Sequence, residues 1–84
     1  MEHRLKSWPE YFRAVASGLK RFELRLDYRP FEIGDTLILE EWNPATAEYT
    51  GNVEVLRVTY LMTHDPTVPF SPSPGWIIMS LETR

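Results

Sequence analysis

Arg21, Glu23 and Arg25 alternate with Phe22, Leu24 and Leu26, and Lys20 comes directly before them. A period of two is that of a half-buried strand, so the charged side chains share one face and the apolar ones the other. With Phe22, Leu24 and Leu26 expected to face the core, the charged row looks outward or into a cleft. A guanidinium can hold a phosphate or a base edge through paired donors, and a lysine adds a mobile point charge. Glu23 can accept hydrogen bonds from an exocyclic amine such as that of cytosine or adenine. Together these groups suit recognition of one unstacked base. The plainer reading is a solvated row of surface ion pairs, each contributing little. The residue types alone favour that plainer reading.

Aromatic residues supply the other half of base recognition. Trp42, Tyr49, Tyr28 and Tyr60 could each offer a stacking surface. Trp42 follows Glu40-Glu41 at a strand end, which suits a partly exposed cleft wall. Tyr60, Trp8 and Trp76 are expected to pack. His64-Asp65 has the form of half a metal site, but a metal needs three or four convergent ligands and the chain has no cysteine. His64 is therefore read as a loop residue and His3 as exposed or at a cleft edge, and neither a metal nor a cofactor is expected. No Ser–His–Asp order and no phosphate-cradling glycine loop is visible.

These residues need elements to position them. Ser7-Trp8-Pro9-Glu10 has the form of a capping box, and Pro9 suits a first helical turn. Tyr11 or Phe12, Val15 and Leu19 then recur at helical spacing, and Gly18 is a natural stop. The spacing predicts one helix over about Pro9–Ser17, preceded by a short strand at His3–Lys6. Asp27–Pro30 reads as a turn and Ile33-Gly34-Asp35 as a tighter one. Thr36–Trp42 and Asn52–Met62 read as strands, separated by a turn-forming stretch, Asn43–Gly51. Four prolines (Pro66, Pro69, Pro72, Pro74) make Thr63–Pro74 an irregular loop before a last strand, Trp76–Leu81. One N-terminal helix and about five strands give an α+β fold, a small mixed β-barrel in a single domain over residues 1–84.

The totals limit the partners. The 84 residues are 43% hydrophobic and 25% charged, which fits one modest folded core and argues against disorder. The absence of cysteine excludes disulfides, thiolate zinc sites and cysteine nucleophiles, and suits a reducing cytoplasm. The first residues lack the apolar run of a signal peptide, and no stretch is long and apolar enough for a membrane span. The formal net charge is −3. Proteins that coat duplex nucleic acid draw affinity from excess Lys and Arg. This chain can reach nucleic acid only through a local basic patch or by gripping one nucleotide in a pocket.

Gly18-Leu19-Lys20-Arg21-Phe22-Glu23-Leu24-Arg25 has the form G-x-K-x-x-E-x-R and resembles the signature of ASCH domains, a branch of the PUA-like β-barrels. The order of further pieces resembles a compact ASCH-like family of bacteria and phages: His3-x-Leu5-Lys6, Pro9-x-Tyr11-Phe12, Gly34-Asp35, Glu41-Trp42, Tyr49-Thr50-Gly51 and Val58-Thr59-Tyr60. The resemblance implies a PUA-like barrel with a cleft beside the helix. It also implies that the cleft binds RNA or a single nucleotide, with Lys6, Lys20, Glu23, Arg25 and Trp42 as its binding residues. One small ASCH branch hydrolyses N4-acetylcytidine, using the motif lysine and a threonine where Glu23 stands here. A metal-free amidohydrolase with Lys20 and Glu23 as catalytic groups is thus the second expectation. A protein-interaction adaptor working through the loop Asp65–Pro74 is the third.

Overall fold

The computed structural model describes residues 1–26 and 29–84. Its elements are β1 (Glu2–Ser7), α1 (Pro9–Ala16), β2 (Phe22–Leu26), β3 (Thr36–Asn43), β4 (Glu48–Thr63) and β5 (Trp76–Thr83). The strands form one sheet in the order β1-β3-β4-β5-β2, with β1 parallel to β3 and every other pair antiparallel. The sheet curls into a half-barrel, bringing its two edges, β1 and β2, within reach of each other. Arg25 Nη2 on β2 donates to the Lys6 carbonyl on β1 at 2.5 Å. Among the described residues, the expected α+β architecture of one short helix and five strands is present. The turn read at Asp27–Pro30 and the stacking role read for Tyr28 fall at least partly outside the described residues.

The concave side holds the core. Leu5, Leu37, Leu39, Leu56, Val58, Ile77, Met79 and Leu81 point into it from four strands, closed over by Phe12 and Val15 of α1 and by Phe31. Burying a side chain of this size stabilises the fold by roughly 1.5–3 kcal/mol. Thr36, Leu37, Ile38 and Leu39 are buried in succession, so β3 is covered on both faces and reads as a continuous apolar run.

Four local expectations are corrected. Ser7 does not cap α1: the N-cap is Trp8, in extended conformation and without a side-chain cap. The strand continues through Ser7, and the pleat that buries His3 and Leu5 buries Ser7 too. His3 is accordingly 2% exposed rather than at the surface. Its Nε2 donates to Asp35 Oδ2 at 2.7 Å, and its ring lies 4.6 Å from that of Phe31.

The third correction concerns Thr50-Gly51, which lies inside β4 rather than in the turn. The turn is Pro44–Ala47, started by Asn43 Oδ1 accepting the Ala45 amide at 2.9 Å. Between the pairs Glu40↔Val53 and Trp42↔Tyr49 the register slips, so Glu41 alone faces Thr50, Gly51 and Asn52. Gly51, at φ +93°, supplies the left-handed residue this bulge requires. Fourth, Tyr60 is 62% exposed. A second register shift between Val58 and Tyr60 places Leu61 beside buried Met79 and turns Tyr60 outward.

Candidate functional site

The edge strand β2 carries the central finding. Glu23 pairs with Met79 and Arg25 with Ile77, both core residues of β5, so Glu23 and Arg25 point inward. Phe22, Leu24 and Leu26, expected in the core, are 45, 51 and 52% exposed. The phase is the reverse of that expected because the inward carboxylate is neutralised where it sits. Lys20 Nζ donates to Glu23 Oε1 at 3.0 Å, and Arg25 Nε donates to Oε2 at 2.5 Å. A buried charge that is paired and hydrogen-bonded loses most of its desolvation penalty. The Glu23 side chain is 5% exposed, and those of Lys20 and Arg25 are 17 and 20%.

Local structure delivers the three groups together. α1 ends at Ala16 with Ser17 as its C-cap, and Gly18, at φ +80°, reverses the chain so that the Lys20 amide donates to the Ala14 carbonyl. Lys20 therefore leaves the helix end directly over β2. Its ammonium lies 4.9 Å from the Phe22 ring centroid and 5.9 Å from that of Tyr11, within cation–π range.

Beside the triad is a groove of about 670 Å³, bounded by the end of β1, the start of α1 and the edge strand β2. Trp8, Tyr11, Phe22, Leu24, Leu26 and Trp76 form its walls; Lys20, Glu23 and Arg25 supply its charge, with Lys6 and Ser7 at the β1 end. Within the triad, two cations to one carboxylate leave a charge of +1, and Lys6 adds a further positive charge to the lining, on a chain of net −3. Among the residues expected to bind, Lys6, Lys20, Glu23 and Arg25 all line the groove. Trp42 does not: Lys6 Nζ covers its ring at 4.0 Å, and Tyr49 meets it edge-on at 4.9 Å. Arg21 is exposed, its Nε donating to the Gly18 carbonyl. The walls Trp8 and Trp76, expected to pack, are 46 and 39% exposed. The apolar residues of an edge strand, with aromatics at two distant chain positions, were the available signal for them.

Among the described residues, two further buried carboxylates stand apart from the groove. Asp35 accepts from the Met1 ammonium at 3.1 Å, from His3 and from the Glu32 amide. Burial opposes its charge, but these hydrogen bonds and the ammonium charge hold its carboxyl below the usual carboxylate range. Glu41 Oε1 accepts from Thr50 Oγ1 at 2.7 Å and Asn52 Nδ2 at 3.0 Å, with Arg13 3.9 Å from Oε2. Those two hydrogen bonds hold Glu41 below its usual range against its burial. Among the described residues no group of three or more His, Cys, Asp or Glu is placed to hold a metal, and His64 Nδ1 lies 3.0 Å from the Pro72 carbonyl. No helix among them is long and apolar enough to cross a membrane.

Comparison with known proteins finds a match to an uncharacterized 12.9 kDa protein in the GpA 3′ region of Escherichia phage P2. It is 42% identical over 57 residues, which are 68% of this chain and 50% of the phage protein. The chain thus spans about half the length of that relative. A family profile described as a domain of unknown function, DUF3850, matches residues 2–81. With nearly its whole length inside that match, the chain belongs to the DUF3850 family.

Proposed function

We propose that the groove binds a single unstacked base, as part of RNA or of a nucleotide, and that the domain is a binding module. The observation that carries this reading is a buried carboxylate, Glu23, held between Lys20 and Arg25 beside a groove with aromatic walls. Its volume falls in the range of small-molecule sites, which run to roughly 300–1,000 Å³. Flat rings suit base stacking, worth about 1–3 kcal/mol per base. The charged groups fix the orientation of the base. The net charge of −3 favours a pocket for one nucleotide over a surface that tracks duplex phosphates. The ASCH-like, PUA-like resemblance of the Gly18–Arg25 signature supports the same ligand class, and the phage relative suits the compact ASCH-like group.

The test is equilibrium binding of the 84-residue protein to short single-stranded RNA, to duplex RNA of the same sequence and to nucleoside monophosphates at modest salt. Trp8 and Trp76 fluorescence serves as the reporter. The single strand or a mononucleotide binds and the duplex binds more weakly; a preference for duplex, or no binding at all, removes the reading. Release of acetate from N4-acetylcytidine in the same preparation, lost in Lys20→Ala and in Glu23→Gln, would instead assign Lys20 and Glu23 to catalysis.

A further inference from the structure

The hydrogen-bonding capacity left in the triad is unevenly distributed. An arginine has five N–H donors. Arg25 gives Nε to Glu23 and one hydrogen of Nη2 to the Lys6 carbonyl, which leaves three donors at the guanidinium end. A carboxylate has about four lone-pair sites. Lys20 occupies one on Glu23 Oε1 and Arg25 one on Oε2, so each oxygen retains one. Arg25 and Glu23 both line the groove, so unused donors stand directly beside unused acceptors. Lys20, with two ammonium hydrogens left, stands on the far side of Glu23.

Guanine has the matching edge. Its N7 and O6 accept side by side, and its N1–H and exocyclic amine donate next to them. Adenine sets one amine between two separate acceptors and cannot offer two acceptors to the fork. Cytosine offers two acceptors but one amine, which leaves one carboxylate oxygen without a partner. A purine also covers more of the aromatic wall than a pyrimidine does, which adds apolar burial. Resting on the reading of the groove as a base site, we propose that it selects guanine. Arg25 donates to O6 and N7, the commonest specific arginine contact with a base, and Glu23 accepts from N1–H and the exocyclic amine. The ligand is defined by its base, whether carried by a free nucleotide or by a single strand.

The experiment compares GMP, IMP, AMP, CMP and UMP on the unmodified protein by calorimetry, alongside a short single-stranded RNA containing one guanine. GMP binds on the order of tenfold more tightly than AMP, CMP or UMP. IMP, which lacks the exocyclic amine, falls between GMP and the rest. Tighter binding of the RNA than of GMP identifies a single strand as the carrier, and equal binding identifies the mononucleotide; guanine selection stands in both cases. Arg25→Lys, which keeps the charge and loses the fork, abolishes the preference for GMP. Equal affinities for all five nucleotides, or a preference for CMP or AMP, overturn guanine selection and leave base binding intact. Binding of none of them, with no binding of the RNA, overturns both.

Discussion

Asp35, beside the start of β1, and Glu23, beside its end, are both carboxylates on residues only 4–5% exposed, yet their surroundings differ. Asp35 is held by a ring nitrogen, a backbone amide and the terminal ammonium, and it does not line the groove. Glu23 is held by two long cations that line the groove and keep donors to spare. Burial and pairing are therefore common to a structural carboxylate and a candidate binding one. What separates them is unfilled hydrogen-bonding capacity next to a cavity.

Substitutions at the two ends should separate accordingly. The largest effect is expected for Glu23→Ala, which leaves Lys20 and Arg25 facing each other without their counter-ion. Urea unfolding should show a loss of about 3 kcal/mol, while Glu23→Gln, preserving shape, loses less stability but as much base affinity.

Asp35→Asn comes next, at about 1–2 kcal/mol from weakened hydrogen bonds to a buried group, with base binding unchanged. Its pH signature has a definite sign. The Asp35 carboxyl is depressed in the folded state, so its contribution is complete above the ordinary value of 3.8 and is lost as the pH falls through the lower folded value. Wild-type stability should fall in that acid window more steeply than that of Asp35→Asn. Parallel acid curves for the two proteins would remove Asp35 as a structural carboxylate.

Gly51→Ala should cost about 1–2 kcal/mol, because the position is held at φ +93°. It perturbs the Glu41 bulge and leaves the groove untouched. The smallest stability effect, within about 0.5 kcal/mol, is expected for Leu24→Ser, since Leu24 is half exposed. Its effect appears instead as weaker base binding. A cooperative loss of several kcal/mol there would mean that Leu24 belongs to the core after all.

Much of this was legible in the residues. Pro9 and Gly18 bracket the helix, alternation marks β2, and its period of two groups Glu23 with Arg25. The period alone does not say which face is buried: a shift of one residue exchanges the faces. Here the choice rests on Lys20, which comes from the helix end and neutralises an inward Glu23. Thr50-Gly51 carries turn chemistry that serves equally for a bulge, and only the partner strand distinguishes the two. Tyr60 is turned outward by a slip against β5 that no local pattern encodes. The groove walls Trp8, Tyr11 and Trp76 meet because the sheet curls, which depends on contacts distant in sequence.

Base binding in the groove is best examined by NMR titration of labelled protein with a short single-stranded RNA, following backbone amides, the Trp indoles and the Arg25 side chain. A base seated in the groove shifts Trp8, Lys20, Glu23, Leu24, Arg25 and Trp76 and leaves His3 and Asp35 unmoved. Shifts gathered at the His3–Asp35 end or on the Pro-rich loop after β4, or none anywhere, would contradict it.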